Sequence, residues 1–194
     1  MSSITTGEEN VAIGTKTLAK NNVGNNNVAI GNLSLRNNTL GYGNAAFGSF
    51  SLINNTTGAY NTALGTGSLN ANTTGNFNVA VGYQASAYNT NGSNNVFIGT
   101  NSGYNSTNGS NNIFIGYNAQ GSSDVISNEI TLGDNQITAL RCNTQNITSL
   151  SDIRDKKHIQ DLSIGLNFIN SLKPRQFNWD KREWYMNNKY SVPN

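Results

Sequence analysis

An apolar-x-apolar-Gly phrase ends at Gly14, Gly31, Gly48, Gly65, Gly82, Gly99, Gly116 and Gly133, each 17 residues after the last. Two more positions keep the same register. Asn precedes the phrase at Asn10, Asn27, Asn44, Asn61, Asn78, Asn95 and Asn112, and a second glycine stands three residues earlier at Gly7, Gly24, Gly41, Gly58, Gly75, Gly92 and Gly109. A fixed period without insertions implies one structural unit per copy, stacked in a line. Seventeen residues are too few for two packed helices, and paired glycines with Asn-Thr clusters oppose helix. They suit short strands joined by tight corners, where Gly and Asn tolerate positive φ. The expected fold is all-β: a parallel β-solenoid (β-roll) of 17-residue coils. Parallel strands stack about 4.8 Å apart, so seven steps make a rod of roughly 34 Å.

The phrase alternates. In "NVAIG", Val28 and Ile30 point to one side of the strand and Ala29 to the other. The first and third slots stay almost wholly apolar, from Val11 and Ile13 to Ile113 and Ile115. The middle slot reads Ala12, Ala29, Ala46, Ala63, Ala80, then Phe97 and Phe114. Both faces of the strand therefore read as buried, whereas a thin solenoid has one inside. The second face is assigned to another chain. On this reading Glu at Ala46 and Ala63 places charge in the contact and weakens association.

A second column changes in step with the first. Leu18, Leu35, Leu52 and Leu69 stand four residues after the phrase glycine, followed by Ser86, Gly103 and Gln120. Leu disappears close to where Ala becomes Phe, so total apolar volume is held. The two columns are expected to share one compartment. Asn, with 37 of 194 residues, is expected to stack from coil to coil and pair its amides, a structural role.

Charge excludes several functions. No Asp, Glu, Lys, Arg or His lies between Asn37 and Ser123, so that region lacks the paired carboxylates of a glycosidase. The net charge of +2 gives no basic footprint for nucleic acid. No apolar run reaches the roughly 18 residues of a spanning helix, so no membrane insertion is expected. "MSSITTGEEN" has no basic n-region or apolar h-region, so no secretory signal is expected. The single Cys142 precludes an intrachain disulfide and supplies no metal-ligand cluster. No cofactor and no metal are expected.

The repeat resembles the head repeats of trimeric autotransporter adhesins, whose "NSVAIG"-like phrases build β-rolls packed as trimers. It is also similar to Gly-x-x-Asn-Thr-Ala-x-Gly repeats of phage and large-virus fibre proteins. The resemblance covers about Gly7 to Gly133 and implies a homotrimer.

Composition shifts at Ser151. The last 44 residues hold 13 of the 22 charged residues, both Trp, both Pro and the single His158. The reading is a repeat region over 1–133, a β connector over 134–150 and a small α+β segment over 151–194. Ile159, Leu162, Leu166, Ile169 and Leu172 recur at helical spacing, interrupted by Gly165 and stopped by Pro174; "RQFNW" suits a strand. "SDIRDK" followed by "GLNFINSLKPRQFNW" resembles the start of the intramolecular chaperone of phage endosialidases and tail fibres, the S74 peptidase family. That resemblance implies a domain that helps three chains assemble and then cuts itself off. It makes Ser151 the nucleophile, Lys156 its base and Ser151–Asp152 the scissile bond, with Asp152 and Arg154 completing the motif. The family domain continues through a Gly-Phe-Ile-Ala-Gln-like stretch and a helical end, so 151–194 is expected to be its N-terminal part. A Ser hydroxyl needs an adjacent base, and the nearby cations Arg154 and Lys157 would lower the Lys156 pKa. From the residues alone, Ser151 and Asp152 also suit a helix N-cap.

The resulting expectation is a homotrimeric virion fibre for host attachment, made in the host cytoplasm, whose one enzymatic act is self-cleavage. Its expected partners are copies of itself and, at its uncharged corners, a host-surface polysaccharide. Two alternatives stand beside it. One is a bacterial trimeric surface adhesin. The other is an ice-binding solenoid using Thr39, Thr56, Thr73, Thr90 and Thr107, which also recur every 17 residues.

Overall fold

A computed structural model describes residues 6–141, which lie in one compact unit, Met1–Arg141. The chain winds as a parallel β-solenoid. Its strands are β1 (Val11–Ile13), β2 (Val28–Ile30), β3 (Ala45–Phe47), β4 (Thr62–Leu64), β5 (Val79–Val81), β6 (Val96–Ile98), β7 (Ile113–Ile115) and β8 (Ile130–Leu132). They form one eight-stranded sheet in chain order. Every pair is parallel and offset by one repeat, as in Thr62↔Val79 and Leu64↔Val81. Coils are numbered here from the first repeat glycine, so coil 4 spans 58–74. Each coil bonds both neighbours: Val79 donates its N–H to the Asn95 carbonyl and Gly82 donates to the Leu64 carbonyl, both at 2.8 Å.

The inside of the rod is the side of the middle slot. Ala29, Ala46, Ala63, Ala80, Phe97 and Phe114 are completely buried within a single chain. Leu18, Leu35, Leu52 and Leu69 are equally buried and belong to the same core cluster. The shared compartment read from the sequence is thus present. The assignment of Ala46 and Ala63 to an interchain contact is corrected: both lie in the lumen of their own coil. Ala fits there because the lumen is narrow and Leu fills it from the opposite wall.

That Leu column carries a conformational cost which its sequence hides. Leu18, Leu35, Leu52 and Leu69 all have φ of 47–49°, in the left-handed region that costs an L-residue about 1–2 kcal/mol. Full burial of a Leu side chain contributes about 1.5–3 kcal/mol, enough to offset the strain. Corners are therefore set by the core as well as by Gly and Asn. The two glycine columns differ in purpose. Gly65, at φ 140°, holds a backbone angle that side chains disfavour. Gly58 has no such φ; a Cβ there would run into the Gly75 carbonyl oxygen and the Asn55 amide.

Where Leu gives way to Gly103, the Phe97 ring occupies the space: a Cβ on Gly103 would collide with it. Phe97 also meets Phe114 edge-on, with ring centroids 5.5 Å apart. Gly103 keeps the left-handed backbone of the Leu column, at φ 61°. Phe97→Ala alone is expected to cost about 3–5 kcal/mol by opening a cavity, and Gly103→Leu alone to overpack the coil. The double substitution restores the pattern of the first four coils and should recover at least about 2 kcal/mol relative to additivity. Denaturant unfolding of the four proteins checks this, and additive losses would contradict the shared compartment.

The ends differ from the middle. Glu8, Glu9, Lys16 and Lys20 all lie exposed in the first coil, where charge opposes edge-on addition of another strand to β1. At the far end Thr131 takes the middle slot of β8. Residues 134–141 carry no strand, so this part of the expected β connector is turn and irregular chain.

Candidate functional site: the outward strand face

Most polar groups of the repeat are committed to holding coils together. Asn61 shows the pattern. Its N–H and its Nδ2 both donate to Asn44 Oδ1, at 3.0 and 3.1 Å, and Nδ2 also donates to the Gly75 carbonyl at 2.8 Å. Its own Oδ1 accepts from Asn78 N–H and Nδ2 at 3.0 and 3.1 Å. The column is buried from Asn27 to Asn112. Glu129 ends it: its N–H donates to Asn112 Oδ1. The Glu129 carboxylate accepts from the Ser122 hydroxyl and N–H and from the Thr131 hydroxyl. The Ser122 hydroxyl holds the carboxyl below its ordinary pKa.

A second Asn column runs through Asn21, Asn38, Asn55, Asn72 and Asn89, all buried. Asn38 Nδ2 donates to Asn21 Oδ1 at 2.7 Å and to the Gly41 carbonyl at 2.8 Å. The sequence reading missed this column, although its 17-residue spacing is visible. Both columns support the structural role expected of Asn. Asn61→Ala should cost about 1–3 kcal/mol, because it strands the buried Asn78 N–H, while the Gly75 carbonyl keeps the Asn72 amide. Hydrogen exchange should show the loss centred on coils 4 and 5; unchanged protection there would remove the ladder from the stability argument.

The Thr column is likewise occupied. Thr39, Thr56 and Thr73 donate their hydroxyls to the carbonyls of Thr56, Thr73 and Thr90, each at 3.0 Å, and Thr90 donates to the Thr107 carbonyl at 3.2 Å. An ice-binding array needs those hydroxyls turned to solvent.

What remains is apolar and outward. The first and third slots of every strand face away from the lumen, and they are half-buried or exposed along the whole sheet. Ile13, Phe47, Leu64, Ile98, Ile115 and Leu132 are 57, 37, 42, 39, 40 and 50% exposed. Thr62 is the single polar residue among these sixteen positions. The result is a continuous apolar stripe roughly 34 Å long. A contiguous patch of this kind marks a contact surface in soluble proteins.

Aromatic residues flank the stripe. On the flank preceding the strands, Tyr42 meets Tyr60 edge-on at 5.0 Å and Tyr60 stacks on Phe77 at 5.2 Å. Tyr88 and Tyr104 pair further round the coil at 4.8 Å. The Tyr104 hydroxyl donates to Tyr88 Oη at 3.3 Å, and this bond raises its pKa above the ordinary phenol value. Among the described residues no helix is long and apolar enough to cross a membrane, and no group of three or more His, Cys, Asp or Glu is placed to hold a metal.

Ser151, Asp152, Arg154, Lys156 and the helical segment expected after them lie outside the described residues. No curated protein matches the chain, and no solved structure matches it. Residues 151–190, which include Lys156 and the Ser151–Asp152 bond, match the family model of the chaperone of endosialidase, peptidase S74.

Proposed function

We propose that the chain is a homotrimeric fibre segment of a virion, used in host attachment, whose C-terminal segment is an intramolecular chaperone that assembles three chains and then cuts itself off. The observation that carries this reading is the match of residues 151–190 to the endosialidase chaperone model, directly after a rod of stacked coils. The outward apolar stripe supports it, since it gives the repeat region a surface that needs partners along its full length. Three stripes turned toward a common axis would bury one another and leave the polar corners facing solvent, where amides and hydroxyls can meet neutral polysaccharide. On this reading the repeat region is scaffold and contact surface, and Ser151 with Lys156 performs one self-cleavage.

Sedimentation velocity together with native and denatured mass spectrometry tests this directly. The expected result is a trimer in native conditions and, for full-length precursor, fragments separated at Ser151–Asp152. A monomer at micromolar concentration would overturn the fibre reading.

A further inference from the structure

Three identical repeat chains face a problem of register. The outward stripe is nearly uniform from coil to coil, so it holds chains together almost equally well when one chain is shifted by a single coil. Register must be written in features that do not repeat. On the flank before the strand, coils 3, 4 and 5 carry the contiguous rings of Tyr42, Tyr60 and Phe77, which are 45, 50 and 56% exposed. The same columns hold Glu8 and Glu9, Asn25 and Asn26, Ser93 and Asn94, or Ser110 and Asn111 in other coils. Tyr60 and Phe77 both have φ 57°, a left-handed backbone that Asn26, Asn94 and Asn111 share. Asn tolerates that conformation and bulky aromatic residues do not, so the rings are placed there against local preference.

The flank after the strand has its own aromatic residues in the same part of the rod. Phe50 in coil 3 and Tyr83 in coil 5 are 40 and 52% exposed. Turning the strand faces to a three-fold axis brings the first flank of one chain beside the second flank of the next, coil against coil at equal height. Aromatic surfaces then meet at coils 3 and 5. A shift of one coil in either direction moves Phe50 or Tyr83 out of the facing set.

We infer that Tyr42, Tyr60 and Phe77 form a register key, a surface that docks on the Phe50–Tyr83 flank of a second copy of this chain and selects the in-register trimer over one shifted by a single coil. This rests on the trimeric reading above.

Cross-linking in the full chain with Cys142→Ser tests it. Asn94→Cys with Thr100→Cys places thiols on opposite flanks of coil 6 and reports in-register neighbours. Asn111→Cys with Thr100→Cys reports a one-coil shift. Within one chain a strand separates each pair by well over the ~7 Å a disulfide can bridge, so cross-links report neighbours. Under mild oxidation the wild-type surface should give the first disulfide at least about tenfold over the second. Tyr42→Asn, Tyr60→Asn and Phe77→Asn together install side chains that other coils carry in these columns, and should leave a trimer by sedimentation. In that variant the second product should rise to within about threefold of the first. An unchanged ratio in a trimeric variant overturns the key while leaving the trimer intact. Equal products, or none, from the unaltered surface also overturn it, and a monomer overturns the trimeric reading and the key together.

Discussion

Ala63→Glu is expected to unfold the middle of the rod, whether or not the chains associate. Ala63 is completely buried, its neighbours in the sheet are Ala46 and Ala80, and Leu52 and Leu69 share its compartment. A carboxylate there has no cation to meet, since no charged residue lies between Asn37 and Ser123. Burying it unpaired adds to the overpacking of a lumen sized for a methyl group, and losses above about 4 kcal/mol are expected. Hydrogen exchange should show lost protection across coils 3 to 5. The contrasting variant is Ile30→Glu with Ile98→Glu, both on the outward face. It should keep the exchange pattern of the separated chain and abolish association by sedimentation. Retained protection in Ala63→Glu with dissociation as its sole effect would reverse the assignment of inside and outside.

The period alone made the solenoid legible. No other arrangement of 17-residue units accommodates two glycines per copy and an unbroken register over eight phrases. The pairing of Leu with Ala and of Gly103 with Phe97 was legible too, because close packing forces volumes in one compartment to compensate. Which face lies inside was not. Val28, Ala29 and Ile30 are all apolar, and hydrophobicity does not rank them. What decides is cross-section: a coil of 17 residues leaves room for Ala opposite Leu, and Phe97 and Phe114 enter where Gly103 and Gly121 clear space for their rings. The left-handed backbone of Leu18, Leu35, Leu52 and Leu69 was hidden for a related reason. Local propensity argues against it, and only the burial that it permits outweighs the strain. The second Asn column could have been read from spacing, but Asn is so frequent in this chain that its alignment did not stand out.

Ser151→Ala and Lys156→Ala are each expected to abolish cleavage between Ser151 and Asp152 while leaving the assembly folded. The match of residues 151–190 to the endosialidase chaperone model motivates the choice of bond and residues. Cleavage consumes one water and leaves a carboxylate on Ser151 and an amine on Asp152, so the two fragments together exceed the precursor by the mass of water. On the proposed reading Lys156 would have to be neutral to take a proton from the Ser151 hydroxyl, and Arg154 and Lys157, cations close to it in sequence, would disfavour its charged form if they also lie near it in the fold. Removing either member of such a pair typically lowers the rate by about a thousandfold or more, which for a single-turnover event means intact precursor. Assembly has its own physical need. Parallel strands that close through distant contacts form slowly and expose pairing edges meanwhile, and equivalent coils invite shifted pairing. A segment that trimerises first holds three chains together while their coils align, and its removal afterwards closes the route back, leaving the fibre kinetically stable. The uncut variants should therefore assemble as well as the parent yet unfold faster in denaturant. An intact Ser151–Asp152 bond in assembled full-length protein would sink the cleavage. A normal yield of trimer from a chain ending at Leu150 would sink the role in assembly, and the two outcomes are independent.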